Sequence, residues 1–258
     1  TQGVSSAASD VYKRQGWMPI GSQTAPFTGV YDGQNHQIRN VMSKGTFGSS
    51  GETGLFGVVK GATIQNLGIV DSTFSNSTYL ASFSGKAYDT TFINCYANNT
   101  VDGKNTAAGL VAYGENTCFH QCFNMGDISG SNDMGGIVGV LKSGSIDTCF
   151  NAGSITSTGY LSTTDNIGGI VGDMGDYKSP TDDTIRNCYS TGTVSSRSLY
   201  SSGIAGVSEN PISSCYFAGS GYKYGICFDD EGTDCYFDQE ASGCLSLIHV
   251  SEPTRRTP

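Results

Sequence analysis

His120, Asp147 and Arg186 carry the side chains in this sequence best suited to chemistry, and they are spaced 27 and 39 positions apart. Each stands two positions before a cysteine, in the series Gln65, Ile93, His120, Asp147, Arg186 and Ser213, where Gln65 precedes Leu67 instead. A base, an acid and a cation in one outward row is what a polysaccharide-cleaving solenoid mounts on a face. The same row is also a solvated ion-pair ladder worth little energy. Glycoside hydrolysis needs two carboxylates flanking the bond to be cut. The series supplies Asp147 alone, so no catalytic residue is assigned and the expectation is a protein that is not an enzyme.

One position after each cysteine stands an aromatic residue: Tyr96, Phe123, Phe150, Tyr189, Tyr216 and Tyr236. Like side chains in register stabilise neighbouring strands, and Tyr96, Tyr189, Tyr216 and Tyr236 form a candidate platform for a ligand's sugar rings. Cys118, His120 and Cys122 make the one zinc-like cluster, but no second ligand pair accompanies them. Asp173, Asp176, Asp182 and Asp183 offer carboxylate oxygens for Ca²⁺. Lys178 and Pro180 interrupt that run, no D-x-D-x-D-G loop is present, and a solvated acidic loop competes as an explanation. No metal and no cofactor is assigned.

What positions these residues is a repeat. The stretch Met134–Ile155, MGGIVGVLKSGSIDTCFNAGSI, has counterparts at Ala108–Ile128, Ile167–Val194 and, shortened, Gly203–Gly219. A first strand is expected at Gly54–Gly57, Ser82–Gly85, Gly109–Ala112, Gly136–Gly139, Gly169–Gly172, Gly203–Gly206 and Gly225–Phe228. A second strand ends on the Cys-aromatic pair, with successive cysteines 27, 27, 39, 27 and 20 residues apart. A third holds Val101, Ile128, Ile155 or Val194. Four residues past each cysteine stands Asn99, Gly126, Gly153, Gly192 or Gly219, which suggests a left-handed turn repeated in every coil. Three short strands in about 27 residues favour stacked coils over four-stranded propeller blades. The fold expected is all-β, a single-stranded parallel β-helix of about seven to eight coils.

Leu67 occupies the register of Cys95, Cys122, Cys149, Cys188, Cys215 and Cys235, so that column reads as apolar filler, a buried thiol ladder. Side chains at one register point the same way, which disfavours disulfide torsion between coils. Cys227 replaces a valine of the first strand and reads as filler too.

Thirty-six glycines against six prolines, with 14 tyrosines, fit many tight turns between short strands. The net charge of −9 argues against a nucleic-acid partner, and no apolar run is long enough to insert in a membrane. Residues 1–15 and 244–258 lack the glycine punctuation of the interior and resemble translated sequencing-adapter DNA. They are expected to be non-native tails, leaving residues 16–53 as an N-terminal cap or first coil and 54–243 as the repeats. On that expectation the natural protein extends further on both sides.

The GGIVG strand followed by INCY-type and G-x-V segments resembles the GLUG-repeat family of bacterial secreted and cell-surface proteins. The opening WMPIGSQTAPFTGVYDGQNHQI resembles the lead-in found ahead of such repeats. The resemblance implies a parallel β-helix on an extracellular or surface-attached, adhesin-like protein. The expected role is a non-catalytic structural or adhesive segment, monomeric as a fragment, binding a glycan or a host or bacterial surface protein. The alternative is a polysaccharide lyase or glycoside hydrolase acting on an outer face.

Overall fold

A computed structural model describes residues 16–45, 51–159, 165–175, 184–228, 232–238 and 240. Every pairing between named strands is parallel, and the strands fall into three sheets. The short sheet stacks Glu52–Thr53, Tyr79–Ala81, Thr106–Ala108, Met134–Gly135, Asn166–Gly168 and Tyr200–Ser202. The middle sheet stacks Phe56–Lys60, Ser84–Tyr88, Val111–Glu115, Val138–Leu141, Val171–Met174 and Ala205–Ser208. The broad sheet has 16 strands. It begins with the long strands Val30–Arg39, Thr63–Ser75 and Thr91–Asp102 and continues as short pieces such as Gly144–Asp147, Phe150–Asn151 and Ile155–Ser157. The chain passes from short to middle to broad sheet and then begins the next coil, which is the expected parallel β-solenoid.

The two short-and-middle sheets hold six strands each, so the solenoid has about six coils, fewer than the seven to eight expected. The difference lies at the two ends. The lead-in adds no strand to the middle sheet; it meets it through isolated bridges, Ile20 to Phe56 and Phe27 to Val59, and through the rings of Phe27 and Tyr31 on Phe56. The last layer meets it through Ala205 to Cys227. Val30–Arg39 does pair with Thr63–Ser75, but its register slips between Asp32 and His36, where Gln34 and Asn35 are left-handed. A bulged, polar edge strand resists pairing with another chain. In the short sheet Glu52–Thr53 pair with Tyr79–Leu80.

The expected first strands are also displaced. Gly136-Ile137 and its counterparts form the bend between the short and middle sheets, and the middle strand starts after them at Val138. A Cβ on Gly136 would lie 2.2 Å from the carbonyl oxygen of Gly169 in the next coil. Glycine is there because backbones approach closely. The same holds for Gly126, Gly153, Gly192 and Gly219, whose φ values are not positive. A Cβ on Gly153 would meet the Gly126 oxygen at 2.0 Å.

The left-handed residue instead immediately precedes the cysteine column: Asn66, Asn94, Gln121, Thr148, Asn187, Ser214 and Asp234, with φ between 51° and 55° for Asn66 to Asp234. That bend explains how Ile146 and Cys149, three residues apart, both face the interior. Leu67 pairs with Cys95 in register and is buried with Cys122, Cys149, Cys188, Cys215 and Cys235. Stacked Ile64, Phe92, Phe119, Ile146 and Ile185 complete the core beside them.

Candidate functional site

The left-handed corner divides the outer face of the broad sheet into two strips. On one side the register Gln65, Ile93, His120, Asp147, Arg186, Ser213 is continuous through the pairings. The three chemistry-bearing residues are therefore neighbours, one per coil. The Asp147 carboxylate lies 3.1 Å from His120 Nδ1, within hydrogen-bond distance, and forms an ion pair with Arg186 Nε at 3.2 Å. It also accepts hydrogen bonds from Asn187 Nδ2 at 2.9 Å and Thr148 Oγ1 at 3.3 Å. Burial pushes its pKa up, but the donations from Asn187 and Arg186 outweigh this and hold it below the usual carboxylate range. A carboxylate so occupied is a poor proton acceptor.

On the other side the aromatic column is continuous from Tyr96 through Phe123, Phe150, Tyr189 and Tyr216 to Tyr236. The first four rings stack with centroids 4.8, 4.7 and 4.8 Å apart and planes within 6° of parallel. Tyr96 lies over Gly68, whose missing side chain makes room for the ring, and its hydroxyl accepts from the Gln37 amide. Stacked rings spend their faces on one another. The four-ring run thus presents edges and hydroxyls outward, which is not the flat platform the spacing suggests. Tyr216 and Tyr236 extend the column and are 44% and 46% exposed.

An open groove of about 570 Å³ runs along the corner between Asn66, Asn94, Gln121, Thr148 and Asn187 and the rings of Phe123, Phe150 and Tyr189. Its polar groups are already aligned: Asn94 Nδ2 donates to Asn66 Oδ1 at 2.9 Å. Of the row on the other side only Ile93 lines it, so the structure separates His120, Asp147 and Arg186 from the groove.

The zinc-like cluster does not assemble. Cys118 and His120 face outward while Cys122 is buried inside, and among the described residues no three His, Cys, Asp or Glu side chains converge. Asp173 is engaged by Lys142 Nζ at 3.1 Å. Asp176, Asp182, Asp183 and Cys244 lie outside the described residues.

Sequence reasoning passed over a second strip, the crease where the short and middle sheets fold together. Gly85 and Gly139 press against the short strands there, and Ala81, Ala108 and Ala112 fill its base. Lys86 Nζ lies 3.1 Å from Glu52 Oε1, with both side chains largely buried and the ammonium 4.2 Å from the Tyr79 ring centroid. Two coils further, Asn166 Nδ2 donates to Asp133 Oδ1 at 2.9 Å. Burial, followed by the charge of Asp173, pushes Asp133 up to about 6. A signal did exist: Tyr79, Thr106, Asp133, Asn166 and Tyr200 stand three positions before Ser82, Gly109, Gly136, Gly169 and Gly203.

No family model matches the chain, and no curated protein sequence matches it. Among solved structures, a crystal structure from Bacteroides ovatus described as a putative immunoglobulin A1 protease superposes with a TM-score of 0.56. It is 21% identical over 82% of this chain and 66% of its own, so the present chain spans a little under two thirds of its length. At that identity the likeness extends to the β-solenoid fold.

Proposed function

We propose that this chain is a segment of a GLUG-type bacterial surface or secreted protein that holds an extended glycan along the corner groove without cleaving it. The observation that carries this reading is the groove itself. It sets one amide or hydroxyl per coil beside one ring edge along three coils, Gln121 with Phe123, Thr148 with Phe150 and Asn187 with Tyr189, and Asn66 and Asn94 continue its polar wall. Such a track matches a polymer with repeated hydroxyls: corner groups make the hydrogen bonds, while ring edges cover the apolar C–H surface. The Asp147 carboxylate is committed to its neighbours, and Gln121 and Asn187 offer no titrating group for acid–base work.

Cleavage is the second reading, and the crease supports it rather than the row. Asp133, held up to about 6, stands near Asp173, which Lys142 pairs. A raised carboxyl close to a second carboxylate is an arrangement that can supply a proton donor. A relative fold described as a protease adds only an analogy.

Both readings meet one experiment. The chain is incubated with plant, mucin and microbial glycans, and retention and chain shortening are read together. Retention without shortening that is lost in Gln121→Trp, which fills the groove, is the expected result. Retention that survives Gln121→Trp overturns the groove, and shortening abolished by Asp133→Asn makes the protein an enzyme of the crease.

A further inference from the structure

The inward side of the same corner holds a second ordered array. Cys95, Cys122, Cys149, Cys188 and Cys215 are free thiols, none more than 1% exposed. Each Sγ takes the same pose, donating to the carbonyl oxygen two residues earlier. The distances are 3.4 Å to Ile93, 3.4 Å to His120, 3.3 Å to Asp147, 3.1 Å to Arg186 and 3.3 Å to Ser213. Like poses on strands one coil apart place neighbouring Cβ atoms, and neighbouring sulfurs, about 4.8 Å from each other.

That spacing separates two kinds of link. A disulfide needs Cβ atoms about 3.5–4.5 Å apart and a crossed torsion, which parallel side chains do not give. One ion between two sulfurs needs no backbone movement, because two metal–sulfur bonds of about 2.3 Å laid end to end span about 4.6 Å. We propose that the thiol column binds soft monovalent cations of the copper(I) class, each held linearly between the thiols of adjacent coils. Sulfur ligands select such ions over harder ones. No three candidate ligands converge among the described residues, so the column offers pairs and not a tetrahedral cage.

The charge balances at every step. A thiol, its neighbour and the cation give RS–M–S(H)R and one proton; the S–H bond breaks, one S–M bond and one S→M donation form, and no electron is transferred. One positive charge enters for each that leaves, so the apolar interior stays neutral. Burial pushes the Cys95 and Cys149 thiols up, so those two protons stay until a cation displaces them.

The test uses the whole chain, reduced and under argon, in a Cys118→Ser, Cys244→Ser background that removes a half-buried thiol outside the column and the one nearest the C-terminus. Ag(I) is titrated in while charge-transfer absorbance, proton release and strand circular dichroism are followed. The expected result is one proton released per ion, an unchanged strand spectrum and two sulfur neighbours per ion by X-ray absorption. Cys149→Leu repeats a side chain the column already accepts at Leu67. It removes the links to Cys122 and Cys188 and lowers uptake by about two ions per chain. Uptake that is unchanged in folded Cys149→Leu, that needs three or more sulfurs per ion, or that proceeds only as the strand signal is lost overturns the proposal.

Discussion

Asp147 and Asp133 occupy the same solenoid, on coils of the same spacing, and their carboxyls are driven in opposite directions. On the outer strip beside the groove, Asp147 receives Asn187, Arg186, His120 and Thr148, and is held below the usual range. In the crease, half-buried Asp133 receives Asn166, stands near Asp173 and is pushed up to about 6. Stacking coils does not by itself decide what a charged column does. On an open strip, each acid can gather donors from the coils above and below. In a crease closed by glycine and alanine, those donors are crowded out and desolvation wins.

The crease is broken most severely at its buried ion pair. Lys86→Ala leaves Glu52, 2% exposed, as an uncompensated buried charge. A loss of about 3–5 kcal/mol in the unfolding free energy is expected from urea melts. A loss below about 1 kcal/mol means that Glu52 reaches water. On the groove side the most damaging change is Phe150→Ala, which removes ring contacts to both Phe123 and Tyr189. With each contact worth about 0.5–1.5 kcal/mol beyond buried area, a loss of about 1–3 kcal/mol is expected from the two contacts.

Asp133→Asn sharpens the contrast. Its folded pKa lies above the usual value, so the stability tied to its protonated form is complete below the unfolded pKa. That stability is lost as pH rises through about 6. The asparagine keeps the acceptor for Asn166 and never ionises. It should therefore stabilise the protein by about 2 kcal/mol at pH 7.5 and hardly at all at pH 4, read as the difference between paired melting curves. Asp147→Asn runs the other way with the smallest effect. Its depressed pKa gives stability that is present above the unfolded value and lost as pH falls through the folded one. Solvent screening reduces this to a few tenths of a kcal/mol. A larger gain than loss in Asp147→Asn at neutral pH would erase the distinction between the two strips.

Much of this was legible before any coordinates. The offsets among Ile146, Asp147, Cys149 and Phe150 recur in each repeat, and from them the sequence predicts columns and a filled core. It leaves the facing of the Asp147 row open, because Ile146 and Cys149 both point inward only across a bend. Leu67 in the cysteine register marks that column as interior, and it is buried. The reason for the glycines was not legible. Gly126 and Gly153 look like left-handed turn residues by type, and only the stacked backbone reveals that a Cβ there would strike the preceding coil. The true left-handed position is filled by Asn, Gln, Thr, Ser and Asp in turn, too varied to announce itself.

The sequence by itself determined the period, the residues that share a column and the inward cysteines, because a stacked fold maps linear spacing directly onto height along its axis. The tertiary structure alone decided which columns face one another across a bend. It turned the ring faces inward on themselves, separated Asp147 from the groove, brought Glu52 to Lys86 and left about six full coils. Those outcomes depend on bend angles and on the close approach of backbones, which spacing along the chain does not encode.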